Sequence, residues 1–147
     1  MITDDSQPTQ NMLIESQHPA SHRFAIFEDD GTSAWLYLTE PNTQKPVADA
    51  WVYNRIAAPP TKDIPSYRGG PPPAAIGYAS DTALQESPHL HRWSIKWSGD
   101  GQSVALMKDS APVAFIMSDP KASYSHEIIK DGPWGNVWSQ SEFDRVF

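Results

Sequence analysis

Three short clusters in this 147-residue chain carry residue types capable of chemistry. Glu28-Asp29-Asp30 sets three carboxylates in a row. Paired-acid catalysis needs carboxyl groups facing one cleft about 5–9 Å apart, whereas neighbouring residues in a turn point in different directions. A calcium loop needs oxygen ligands at alternate positions over about twelve residues, and that ladder breaks at Gly31-Thr32-Ser33-Ala34. The simpler reading is a solvated turn in which Asp supplies local hydrogen bonds. His89-Leu90-His91 can present two imidazoles on one side of a strand, and His126-Glu127 adds two more donors, but no spacing fixes a third metal ligand. Ser125-His126-Glu127 holds the residue types of a catalytic triad, yet consecutive residues cannot bring nucleophile, base and orienting acid into mutual reach.

The most distinctive constellation is aromatic. Trp35 and Tyr37 share one face of an expected strand, and Trp51 and Tyr53 share one face of the next. Because strand side chains alternate, pairing the two would gather four large rings on one sheet face. One use is a platform for a sugar, a small ligand or a partner protein. The other is a second core layer beneath a covering loop, which the apolar residues on both faces of these strands favour. Trp35, Tyr37, Trp51 and Tyr53, with Glu28, Asp29 and Asp30, are therefore the candidate ligand- or partner-binding residues. No catalytic, cofactor or metal-binding residue stands out.

The elements that must position them read as mainly β (α+β): antiparallel meander sheets, a long proline-rich excursion and a short C-terminal helix. Residues 1–21 read as a polar, flexible N-terminal tail, with one apolar patch at Met12-Leu13-Ile14, and residues 22–147 as a single domain. Strands are expected over 23–27, 33–39 and 48–54, the first two joined by an Asp-Gly hairpin turn in which glycine accepts the positive φ. Residues 55–91 hold seven of the fourteen prolines, so they cannot form a central strand or a helix interior. One helical turn is expected within them at 81–86. The alternation of Trp93, Ile95 and Trp97 with polar residues predicts a half-buried strand. A turn at Ser98-Gly99-Asp100-Gly101-Gln102 leads to strands over 103–108 and 113–117, with another at 124–129. Ser139-Gln140-Ser141-Glu142 is a capping box, and Phe143, Val146 and Phe147 give the helix after it one apolar side. Phe27, Asp30, Gly31, Ser33 and Leu36 recur seventy residues later as Trp97, Asp100, Gly101, Ser103 and Leu106, an echo that reads either as a duplication or, more simply, as two Asp-Gly hairpins whose turn chemistry demands the same residues.

Composition excludes several classes. There is no cysteine, hence no disulfide, thiolate metal site or cysteine nucleophile. No apolar stretch is long enough for a membrane span, and residues 1–8 lack the basic region and apolar core of a secretory signal, so the expected location is cytoplasmic. Of the net charge of -7, the first fifty residues carry eight carboxylates against two bases. Such a chain offers nucleic acid no basic stripe and suits a basic protein partner better. Arg68-Gly69-Gly70-Pro71 lacks the Gly-Lys-Ser/Thr ending of a phosphate loop.

The Phe27-Glu28-Asp29-Asp30-Gly31 turn, the Asp49-Ala50-Trp51-Val52-Tyr53-Asn54 strand and the Trp97–Leu106 hairpin together resemble a family of small uncharacterised bacterial domains. The resemblance implies a compact β-rich bacterial domain and carries no activity with it. Three functions follow as expectations. The first is a non-enzymatic interaction domain, of the size and charge of an immunity-type protein that neutralises a basic partner. The second is a hydrolase whose fold would assemble Asp29 and Asp30 with His89 or His91. The third is a sugar- or ligand-binding module on the aromatic face, which requires Trp35 or Trp51 to lie exposed.

Overall fold

The computed structural model describes residues 11–67 and 69–147. Its frame is two sheets packed face to face. The first is a four-stranded antiparallel meander of β1 (Met12–Gln17), β2 (Phe24–Asp29), β3 (Ser33–Thr39) and β4 (Pro46–Asn54), paired in that order. The second runs β5 (Trp93–Trp97), β6 (Val104–Lys108), β7 (Ala111–Ser118), β8 (Lys121–Ser125) and β9 (Asn136–Val137), antiparallel except for the parallel β8–β9 pair. A C-terminal helix, α1 (Gln140–Val146), completes the chain. The mainly β reading, with meander sheets and a terminal helix, describes this architecture.

Alternation fills the space between the sheets. Ala25, Phe27, Leu36, Leu38 and Val52 from the first sheet meet Val104, Leu106, Ala114 and Ile116 from the second, all buried, with Trp93, Ile95 and Trp97 packed against them. Burying each of the larger of these side chains contributes about 1.5–3 kcal/mol. The far side of the second sheet is covered by α1. Phe115 is the hub there, 4.7 Å from the Tyr124 ring and 5.7 Å from Phe143. Ser139 caps the helix by accepting from the Glu142 amide, as the capping box requires, and Phe143, Val146 and Phe147 face inward.

The two hairpin turns follow from local chemistry. Gly31 and Gly101 both have positive φ, at 90° and 69°. Asp30 Oδ1 accepts the Thr32 and Ser33 amides, and Asp100 Oδ1 accepts that of Gln102. The echoed apolar positions Phe27, Leu36, Trp97 and Leu106 all belong to the inter-sheet core. Gly101 is under a second constraint: a Cβ there would overlap His18 Nδ1 and Ser21 Oγ. His18 Nδ1 is held in place because it accepts the Ala20 and Ser21 amides. Gly101→Ala is therefore expected to cost about 2 kcal/mol from left-handed strain and overlap together. A urea midpoint unchanged from wild type would contradict this.

Four expectations about the elements need correction. Residues 12–17, placed in a flexible tail, form β1 and pair along the whole of β2. Met12 and Ile14 alternate with Leu13 and Glu15, so pairing buries an apolar row, and Trp97 Nε1 donates to Ser16 Oγ at 3.0 Å. Residues 1–10 of that tail, with Asp4 and Asp5, lie outside the described residues, as does Arg68. No helical turn forms at 81–86. The excursion instead carries 3-10 turns at Thr61–Ser66 and Pro88–Leu90, and Leu84 bridges to Asn54. The strand placed at 124–129 is β8, which ends at Ser125, where Ile128 N turns back onto the Ser125 carbonyl. Finally, Trp51 and Tyr53 do not share a face. A bulge pairs Trp35 with Trp51 but Ala34 with Tyr53, so Val52 is the extra residue and Tyr53 turns into the inter-sheet core.

Candidate functional site

The seven candidate residues separate into a buried set and a surface set. Trp35 and Trp51 lie at 6% and 0% exposure beneath the excursion, packed with Ala74, Ala75, Ala79 and Ala83. The cover is fastened by hydrogen bonds. Trp51 Nε1 donates to Asn54 Oδ1, which also accepts the Ala74 amide, and Asn54 Nδ2 donates to the Ala74 carbonyl. Trp35 Nε1 donates to Ser33 Oγ, which in turn donates to the Pro71 carbonyl. A groove for a sugar ring on these two tryptophans is therefore closed. The proline-rich segment occupies that face itself.

Asp29 is not a solvated turn residue. It is fully buried, and Oδ2 accepts from the Tyr53 hydroxyl at 2.7 Å and from Arg55 Nη1 at 3.0 Å, while Oδ1 accepts the Gly31 amide. The Arg55 side chain is itself almost wholly enclosed. Burial, then the hydrogen bond to Asp29, push the Tyr53 phenol far above its ordinary pKa, in keeping with its place as a donor to Asp29. Tyr53 also packs on Phe27 and Trp93. Asp29, Tyr53 and Arg55 thus form an internal polar clamp between turn and core. A buried acid already committed to a guanidinium and a phenol is a structural group here.

What remains at the surface is the part of the outer sheet face that the excursion leaves uncovered. The register lays one row across four strands: Glu15 on β1 opposite Ile26 on β2, Ile26 opposite Tyr37 on β3, and Tyr37 opposite Asp49 on β4. The next row runs Leu13, Glu28, Trp35, Trp51. Glu15, Glu28 and Asp49 are exposed, Ile26 and Tyr37 half-buried, and Leu13 is 66% exposed. Burial and the surrounding carboxylates of Glu28, Asp49 and Asp30 raise the Tyr37 pKa well above its ordinary value. The phenol is thus neutral, a donor in an acidic field. Gln44 Nε2 holds Glu15 by donating to its Oε2 at 2.6 Å. Lys121, which donates to the Val47 carbonyl, is the cation near Asp49.

The fold brings Tyr37, Glu28 and Asp30 into one neighbourhood and removes Trp35, Trp51, Tyr53 and Asp29 from it. Reading the sequence alone missed Glu15, Ile26 and Asp49 as members. Glu15 gave no signal because 12–17 holds a single charge after three apolar residues, and Ile26 and Asp49 join it only through the pairing of four strands.

The histidines do not join the acids named with them. His91 Nδ1 lies 2.7 Å from Asp109 Oδ2, whose partner oxygen accepts the Arg92 amide. Those two bonds hold the Asp109 carboxyl below its usual range. His89 is exposed on a 3-10 turn, and His126 stacks on Trp138 at 3.9 Å. A cleft of about 830 Å³ between the β5–β6 turn and α1 is lined by Arg23, Ser98, Asp100, Asp119 and Arg145 among others, none of them a histidine. No helix among the described residues is long and apolar enough to cross a membrane.

No protein-family model matches the chain, and no curated protein or solved structure is significantly similar to it.

Proposed function

We propose that this chain is a non-enzymatic interaction domain whose acidic outer sheet face receives a basic segment of a partner protein. The observation that carries the reading is the row Glu15–Ile26–Tyr37–Asp49 with Glu28 beside it. It sets a neutral phenol and a half-exposed isoleucine among carboxylates. Such a surface can hold the aliphatic stem of Lys or Arg and pair its head group. An immunity-type role, masking a basic surface on a toxin, is the biological setting that this chemistry suits.

The rival readings have less support. A fold-assembled Asp/His hydrolase would need Asp29 free of Arg55 and His91 free of Asp109, and a sugar module on Trp35 and Trp51 would need the excursion removed. The test is paired affinity capture with wild type and with Glu28→Lys/Asp49→Lys. A basic partner should be retained by wild type in a salt-sensitive way, and its association rate should fall by about one to two decades in the variant. Equal capture by both proteins would remove the reading. Circular dichroism guards against misfolding of the variant, which alters only exposed residues.

A further inference from the structure

The outer sheet face ends at an edge, and the edge has a defined hydrogen-bonding pattern. His18 N donates to the Arg23 carbonyl, which fixes His18–Arg23 as a hydrogen-bonded pair of the β1–β2 ladder. Such pairs alternate along an antiparallel ladder. With the observed register, Ser16–Ala25, Ile14–Phe27 and Met12–Asp29 are the bonded pairs that follow. The N–H and C=O groups of Leu13, Glu15 and Gln17 therefore point away from β2. No strand among the described residues pairs with that side of β1.

Of the other three borders, β9 is only two residues long, with the Val137 amide taken by Asp131 Oδ1, and the remaining two are guarded. At β4, Trp51 N donates to the Trp134 carbonyl, Asn54 N to Ala83, and Lys121 Nζ to the Val47 carbonyl. At β5, Lys96 is exposed in mid-strand and Arg92 is exposed beside it. Lysine on an edge is a common device against strand addition. β1, Met-Leu-Ile-Glu-Ser-Gln, has no lysine, proline or bulge. Its one charge is Glu15, whose side chain shares the outer face with Glu28.

We infer that the partner's basic segment binds as an extended antiparallel strand added to β1, with Lys or Arg at alternate positions facing Glu15 and Glu28 and apolar residues continuing the Met12–Ile14 row. This rests on the acidic-face reading and adds the mode of binding. Main-chain hydrogen bonds would supply affinity and the alternate side chains specificity. Charge selects the occupant: a second copy of β1 would bring like-charged Glu15 and Glu28 rows together, whereas a basic strand is attracted to β1 and repelled from Lys96 on β5.

The geometry makes a parity test available. In an antiparallel pair, a residue opposite Glu15 shares its outer face and also directs its N–H toward β1. The basic residues of the added strand are thus the ones whose amides bond. The probe is a short capped peptide alternating Lys and Val, titrated into the isotope-labelled full chain, with two analogues N-methylated at every Lys or at every Val. The expected result is amide shifts centred on 12–17, binding at least about tenfold weaker with N-methyl-Lys, and little change with N-methyl-Val. Equal binding of all three peptides would overturn strand addition while leaving the acidic-face reading intact. Concentration-dependent self-association through β1 would overturn the choice of occupant. No binding of the unmodified peptide, together with equal capture by wild type and Glu28→Lys/Asp49→Lys, would overturn both.

Discussion

Asp29→Ala is expected to lower stability by about 3–5 kcal/mol, the usual cost of deleting one partner of a buried ion pair. Asp29 is fully buried, and its removal takes an acceptor from three donors at once: the Arg55 guanidinium, the Tyr53 hydroxyl and the Gly31 amide. The guanidinium is the expensive one, since its side chain is only 5% exposed and cannot recruit bulk water without opening the core. For a chain of this size the loss corresponds to a melting temperature lower by roughly 6–20 °C. Asp29→Asn should cost less, because it keeps the shape and an acceptor for Tyr53. Adding Arg55→Met to Asp29→Ala should recover part of the loss by removing the enclosed cation whose carboxylate is gone. Chemical unfolding followed by tryptophan fluorescence measures all four proteins. A loss below about 1 kcal/mol for Asp29→Ala would show that water or a neighbour replaces the carboxylate, and the clamp described here would not hold.

Trp51→Ala should cost a similar 3–5 kcal/mol, but its distinguishing effect is local. Trp51 sits at 0% exposure under Ala74, Ala75 and Ala83, its indole N–H donating to the same Asn54 Oδ1 that receives the Ala74 amide. Deleting the ring removes the floor on which the excursion rests and leaves Asn54 with one donor fewer. Among the described residues, 55–91 has no sheet ladder of its own; this contact and the Asn54–Ala74 and Ser33–Pro71 hydrogen bonds hold its middle, while Ala83 and Gln85 on Asn54 and Ser80 on Glu127 hold the part after it. Limited proteolysis should accordingly cut Trp51→Ala within 55–91 under conditions where the wild type stays intact. An excursion equally protected in both would mean that its anchoring lies elsewhere. Trp51→Phe, which keeps most of the volume and loses the donor, separates packing from hydrogen bonding.

These two residues also show where reading the chain stops. Trp51 is legible: β-branched and aromatic neighbours mark a strand, and apolar residues on both faces say that the strand is covered twice. Seven prolines in 55–91 exclude a central strand or a helix interior there, and the economical inference that this segment covers the aromatic face is what the fold does with it. Asp29 is not legible. Three consecutive acids before a glycine look like a solvated turn, and only the arrival of Arg55 and Tyr53 from β4 and its exit makes the middle one internal.

Local sequence is enough for what is set by neighbours a few residues apart. The glycines at 31 and 101 are placed by the positive φ of their turns, α1 by its Ser139–Glu142 cap, and β5 by the alternation of Trp93, Ile95 and Trp97. Each is fixed by backbone sterics or by a hydrogen bond that closes within one turn. Tertiary structure decided everything that depends on pairing across the chain. One bulge between Trp51 and Tyr53 reverses the alternation and sends the tyrosine to the opposite face, because a single inserted residue flips every side chain beyond it. Edge pairing turns 12–17 into β1, which no local preference required. The row Glu15–Ile26–Tyr37–Asp49 exists only through four-strand register, drawing its members from positions 34 residues apart in the chain. The acidic first third was visible as composition; which of its carboxylates meet solvent, and that Asp29 does not, follows from long-range packing alone.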